Sequence, residues 1–583
     1  MNQVLSDLGK KLEHQLAFIY QGIPLNEEFK TLADTLIECM KLTDKCHFPQ
    51  PFANHWSEQD VVMITYGDSV IEEGVKPLKT LQHFITDHVK DSINSVHILP
   101  FFPYSSDDGF SVIDYSLVNE GLGNWQDIQA IASKKRLMSD LVINHCSSRS
   151  IWFDNFIKGS GKGSDFFYTG DPTQDYSLVV RPRTSPLLKP VMTASGEQHV
   201  WCTFSHDQVD FDFRNPEVLI EFVRIIRLYL DYGVRIFRLD AVAFLWKEQD
   251  RDCINLVQTH EVVRLLRSLI EHAQPDAIII TETNIPNTQN LTYFGNANEA
   301  HCIYNFSLPP LLINTLITGN CLYLKRWLMS MPAAQNGTCY FNFLASHDGI
   351  GLRPVEGLLN DQEVTELVDT MTAFGGKISW RMSEDGTQKA YEMNIALYDA
   401  LKGTTKGEDD MGMARFLCAH VIMMGLEGMP AFYIHSLLGT RNDYKKLENT
   451  HHNRAINRHR WDYQALEAQL ADEGSDHARV FQQMLALIDI RRAQAAFHPN
   501  AIQFTLHLGH SLFGFWRQSQ NRHQSIFCIS NISDQSVELA ISELNLSLTE
   551  RWSDLLSDLE IHDLNQMISL EPYQSIWLTN RKA

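Results

Sequence analysis

Eight short apolar runs recur along this chain, each followed by a loop rich in Gly, Asp, Asn or Pro and then by a longer amphipathic stretch. They are VVMITYG (61–67), SVHILPFF (95–102), RLMSDLVINH (136–145), VRIFRLDAV (234–242), AIIITET (277–283), HCIYNF (301–306), CYFNFLASHD (339–348) and MPAFYIHS (429–436). Intervening stretches such as EFVRIIRLYLDYG and HEVVRLLRSLIEH carry apolar residues at helical spacing. A buried strand followed by a helix is the unit of a parallel sheet. Eight such units favour closure into a barrel over an open doubly wound sheet. No GxGxxG follows the first run, which removes the main support for a nucleotide-binding sheet. The predicted fold class is α/β, a (β/α)8 TIM barrel.

Two connections are too long to be simple loops: about 150–210 after the third run and about 350–412 after the seventh. Long insertions on the C-terminal rim of a barrel usually build the substrate site. Residues 1–58 read as a helical N-terminal extension, with apolar positions at Leu32, Leu36, Ile37 and Met40. The barrel is assigned to 59–149 and 211–499. From about 500 to 583 alternation takes over in SLFGFWRQ, HQSIFCISN, SVELAIS and QSIWLTN, which predicts a small antiparallel β domain. A chain of 583 residues accommodates such a barrel with an accessory domain. A net charge of −22 leaves no basic surplus for phosphate backbones or anionic membranes, so no nucleic-acid or membrane partner is expected. The N-terminus shows no apolar h-region, and no run of about 18 apolar residues occurs. The ten cysteines form no CxxC pair and read as reduced thiols. The compartment these features point to is the cytoplasm.

Polar groups at the C-terminal ends of barrel strands project into the mouth. The third run ends in Asn144-His145, the fourth in Arg238-Leu239-Asp240, the fifth in Glu282, and the seventh in His347-Asp348. Gathering three carboxylates in one mouth costs energy unless a ligand or a proton compensates, so the group reads as a site and not as separate caps or rim ion pairs. The chemistry that needs such a set is glycosyl transfer: one carboxylate attacks the anomeric carbon and a second, held protonated, protonates the leaving oxygen, the pair standing about 5 Å apart in a retaining enzyme. Arg238, on the same face as Asp240, would keep that aspartate ionised.

RIFRLDAV, TETN, ASHDG and DLVINH resemble the strand-end motifs of the α-amylase superfamily of glycoside hydrolases, over roughly residues 60–583. The resemblance implies that the insertion at 150–210 is a B domain and that at 350–412 a B′ region. It also implies Asp240 as nucleophile, Glu282 as acid/base, Asp348 as transition-state stabiliser, and Arg238, His145 and His347 as glucose-binding neighbours. HILPFFPYSSDDGFSVIDY, VRPRTSPLL, FSHDQVDFDF, YNFSLPPLL, SHDGIG and INRH are similar to sucrose phosphorylase and its relatives. By that resemblance Asp107, Phe110, Gln208 and Arg458 complete a closed pocket for one glucosyl unit, with Arg458 fixing the Asp107 carboxylate. Phe110 is either an apolar platform or a core residue. Arg183, in Arg181-Pro182-Arg183, is the candidate phosphate ligand, because its guanidinium fork suits phosphate.

After HDGIG the chain reads Gly351-Leu352-Arg353-Pro354-Val355-Glu356-Gly357-Leu358-Leu359, where sucrose phosphorylases carry a longer loop. This departure and the N-terminal extension look more like phosphorylases acting on glucosylglycerate or glucosylglycerol. Arg353 either pairs with a glycerate carboxylate or forms a rim salt bridge with Glu356. The expectation is a small-molecule glucoside plus phosphate giving α-glucose 1-phosphate. Sucrose or sucrose 6′-phosphate as donor, a hydrolase or transglucosylase, and an inactive sugar-binding barrel are the alternatives. No metal and no organic cofactor is implied; phosphate is the co-substrate.

Overall fold

The computed structural model describes residues 2–183, 185–382, 388–547 and 550–580. Eight parallel strands close into a barrel in chain order: β1 Val62–Thr65, β2 Ser95–Ile98, β3 Arg136–Val142, β4 Val234–Asp240, β5 Ile278–Thr281, β6 Cys302–Tyr304, β7 Cys339–Asn342 and β8 Met429–Tyr433. Each falls inside one of the eight apolar runs. Register follows the order, with Val62 opposite Ser95, Ser95 opposite Arg136, Val142 opposite Asp240, and Val62 opposite Ala431 where β8 meets β1. Most strand residues are buried on both faces, as expected of a sheet with helices outside and packed side chains within.

The N-terminal extension is shorter in helix than its sequence suggests. Helices α1 Asn2–Ile19 and α2 Phe29–Cys39 pack on each other, and against the barrel helices Val257–Ala273 and Pro216–Asp231 respectively. Leu8, Leu12 and Leu16 of α1 and Leu32, Leu36 and Ile37 of α2 are buried in these contacts. Beyond Met40 the chain runs irregularly to the barrel. Lys41 takes a left-handed conformation (φ 57°), and Pro49 and Pro51 cannot continue a helix.

The first insertion contains a helix, Ile151–Lys158, and a hairpin, Leu188–Thr193 with Gly196–Trp201. It returns to the barrel rim by pairing His145–Ser147 with Gln208–Asp210. The second contains the helix Asp361–Ala373 and a three-stranded antiparallel sheet of Ile350–Gly351, Gln388–Asn394 and Lys377–Met382. The C-terminal domain is a six-stranded sheet beside a two-stranded one, and includes Leu512–Gln518, Ser525–Asn531, Val537–Ala540 and Ser575–Thr579. Among the described residues no helix is long and apolar enough to cross a membrane.

Candidate active site

Because the barrel strands are parallel, β3, β4, β5 and β7 deliver their terminal side chains to one rim. There a cavity of about 720 Å³, counting the part open to solvent, is lined by Asp240, Glu282, His347 and Asp348 from the strand ends. Asp107 and Phe110 come from the β2 loop and His145 follows β3. The first insertion adds Arg183, Phe204 and Gln208, the second Arg353 and Tyr391, and the segment after β8 adds Arg454. Arg238 and Arg458 lie behind this surface, each 2 % exposed.

Arg238 sits at the centre of the charge distribution. One guanidinium nitrogen donates to Asp240 at 2.7 Å and also to Asp140, while the other stands 3.9 Å from Glu282. Asp140 is completely buried and is bonded to His97 at 2.6 Å. Burial opposes its charge, but Arg238 and His97 outweigh burial and hold it below its usual value. Ala241 takes a left-handed conformation (φ 51°), and its N–H donates to Glu282 Oε2 at 3.0 Å.

Burial pushes Asp240 well above the usual carboxylate range and raises Glu282 as well; the Glu282 charge adds to the rise on Asp240, and Arg238 opposes both. Arg238 touches Asp240 directly and lies farther from Glu282, so its guanidinium favours a charge on Asp240 more than on Glu282. Asp348 behaves differently. Burial would raise it, but Arg454 at 2.5 Å, with Arg238, Arg458 and Arg183, holds it below its usual value. Arg454 is itself gripped by Glu392, 3.0 Å and 2.7 Å from its Nε and Nη2. Gly349 makes room for this: a Cβ there would overlap the Glu392 side chain.

At the closed end, Gln208 Nε2 donates to Asp107 Oδ2 at 3.1 Å and to the Phe110 carbonyl at 3.3 Å. Phe110 both packs and lines the cavity, its ring stacked on His347 at 4.8 Å and 6°. Burial, then Arg458 and Arg238, push His347 well below its usual value, so it is neutral. Three consecutive residues here have positive φ: Asp107 (53°), Asp108 (45°) and Gly109 (113°). A Cβ on Gly109 would meet the Pro100 carbonyl at 2.8 Å, so only glycine fits. One pairing differs from expectation. Arg458 binds Asp108 and the His347 carbonyl (2.8 Å), not Asp107, because the left-handed turn sends the neighbouring carboxylates of Asp107 and Asp108 different ways.

At the mouth, Arg183 lies 5.8 Å from the Phe204 ring and 5.9 Å from that of Tyr391, and forms no ion pair among the described residues. Arg353 likewise has no carboxylate within ion-pair distance among the described residues, and its buried Nε has no hydrogen-bond partner among them. Glu356, the alternative partner, bonds Arg381 at 2.6 Å instead. Deeper in, the oxygens of Asn144 and Asp210 are engaged by the Lys247 ammonium at 2.9 Å and 3.0 Å.

Residues 87–368 match the family model of the alpha-amylase catalytic domain. The chain is 41% identical to the glucosylglycerate phosphorylase of Escherichia coli (strain K12), over 98% of this chain and 100% of that one. It is 39% identical to the glucosylglycerate phosphorylase of Spirochaeta thermophila, over 89% and 90%. The chain belongs to the phosphorylases of the alpha-amylase family. A solved member of this group, the sucrose 6F-phosphate phosphorylase from Thermoanaerobacter thermosaccharolyticum, superposes with a TM-score of 0.71 at 26% identity, covering 88% of this chain and 98% of that one.

Several lining or supporting residues escape sequence reasoning. Arg454 stands four residues before Arg458 in NRAINR, where its position was a usable signal. Tyr391, Glu392 and Phe204 lie in insertions without periodic pattern, and Asp140 is hidden in mid-strand.

Proposed function

We infer that this phosphorylase transfers the glucosyl group of 2-O-α-glucosylglycerate to phosphate, with retention, giving α-glucose 1-phosphate and glycerate. The observation that carries this reading is the polarity of the cavity. Two buried carboxyls, Asp240 and Glu282, lie at the ends of β4 and β5, and two arginines without carboxylate partners among the described residues stand at the cavity mouth. An anionic leaving group and an anionic second substrate both suit such a mouth.

The Asp240 carboxylate attacks the anomeric carbon while Glu282 passes its proton to the glycosidic oxygen, and glycerate departs. Asp348, kept ionised by Arg454, faces the positive charge that develops on the ring. Phosphate then attacks the same carbon from the side that glycerate vacated. Glu282 takes the phosphate proton as Asp240 leaves, so the proton account closes and two inversions give retention. Arg353 would grip the glycerate carboxylate and Arg183 the phosphate.

A second reading, a phosphorylated disaccharide donor, draws on the same cationic mouth and on the solved structural relative. A donor screen in the presence of phosphate separates the two. Glucosylglycerate, glucosylglycerol, sucrose and sucrose 6′-phosphate are supplied and α-glucose 1-phosphate is measured. Glucosylglycerate should give the highest kcat/KM. Product formation that is unchanged without phosphate would overturn the phosphorylase reading.

A further inference from the structure

The carboxylate of Asp207 has no cationic partner within ion-pair distance among the described residues, yet four side chains donate hydrogen bonds to it. Four serine hydroxyls donate to it: Ser105 and Ser106 at 2.5 Å, Ser111 at 3.0 Å and Ser148 at 2.7 Å. Its carbonyl also accepts from the Ser148 N–H at 2.8 Å. Burial opposes the charge, and the four hydroxyls outweigh burial and hold the carboxyl below its usual value. Serine hydroxyls rarely gather on one carboxylate without a geometric purpose, since each must give up rotational freedom and water.

The positions of the four serines supply that purpose. Ser105 and Ser106 precede the left-handed pair Asp107 and Asp108, and Ser111 closes the same loop, with the Ser105 N–H bonded to the Ser111 carbonyl at 3.0 Å. Ser148 belongs to the segment that carries His145, and Asp207 itself precedes Gln208. Two successive non-glycine residues in the left-handed region persist only where their surroundings over-determine them. Here one carboxylate ties both ends of that turn to the two neighbouring cavity segments.

We propose that Asp207 is a positioning residue of the glucosyl pocket: by clamping the Ser105–Ser111 loop it holds Asp107 in its strained conformation, against Gln208, where the sugar is bound. This rests on the assignment of Asp107 to the glucosyl pocket. Asp207 touches no reacting atom and acts through Asp107.

The test is a double-mutant cycle on the full chain, with Asp207→Asn, Asp107→Ala and the double variant, reading kcat/KM for glucosylglycerate phosphorolysis and Tm. Asparagine keeps the shape but turns an NH2 towards hydroxyls that need an acceptor. In the wild-type background Asp207→Asn should lower kcat/KM by about 10- to 100-fold, the scale of a displaced contact group, with Tm shifted by less than about 4 °C. In the Asp107→Ala background the same change should cost less than about threefold. Equal factors in both backgrounds would overturn the proposal while leaving the pocket assignment standing. An Asp107→Ala variant of wild-type kcat/KM would overturn the pocket assignment and this inference with it. Should Asp207→Asn fail to fold, Ser106→Ala and Ser148→Ala, each removing one donor, take its place in the cycle: a loss confined to the Asp107 background supports the clamp, and equal factors in both backgrounds overturn it.

Discussion

Arg238 divides its guanidinium between Asp140 and Asp240 and leaves Glu282 at 3.9 Å, so a difference of about an ångström in contact distance separates the two carboxyls of the proposed catalytic pair. Under the proposed mechanism Asp240→Asn removes the nucleophile, and turnover should fall about 10⁴-fold or more in a phosphorolysis assay. Glu282→Gln removes a general acid, at about 10²- to 10⁴-fold. The pair's raised titration sets the pH behaviour. A donated proton held above the usual carboxylate range is lost as pH rises, so kcat/KM should decline on the alkaline side and that limb should vanish in Glu282→Gln. Arg353→Ala tests leaving-group recognition. Loss of a charge-assisted contact of about 1.5–3 kcal/mol should raise KM for glucosylglycerate about 10- to 100-fold and leave glucosylglycerol little changed.

The elements carry a different lesson, visible where β8 begins. Glu427, between the helix Gly412–Gly425 and β8, accepts the Ala334 N–H at 2.7 Å, and burial pushes its carboxyl up to about 7. A glutamate titrating near 4.5 when unfolded and near 7 when folded binds more protons in the folded state between those values. Stability conferred at low pH is therefore lost as pH rises through that window. Glu427→Gln should raise Tm at pH 8 and change it little at pH 5, measured by thermal melts across pH. The eight barrel strands were legible because a strand buried on both faces must be a short continuous apolar run. The true end of α2 was not, because helical spacing alone does not exclude the left-handed break at Lys41.

Across the whole molecule a net charge of −22 surrounds a cavity mouth that presents Arg183 and Arg353. Global acidity keeps anions away in general, so under the proposed function phosphate capture would rest on Arg183, and inorganic phosphate should stabilise the folded chain by mass action. Near 100 times its Kd the gain is about 2.7 kcal/mol, read as a rise in Tm that Arg183→Ala abolishes. The barrel, its C-terminal β domain and the strand-end positions of Asp240, Glu282 and Asp348 were readable from the chain alone, because buried strands leave short apolar runs in the local sequence and their alternation with helices makes them parallel. Packing chose the polar partners: Arg458 with Asp108, Glu356 with Arg381, Glu392 and Asp348 on Arg454, and four serine hydroxyls on Asp207. Those contacts join residues tens to hundreds of positions apart, and which side chains share a buried volume is settled by packing, which no local pattern encodes.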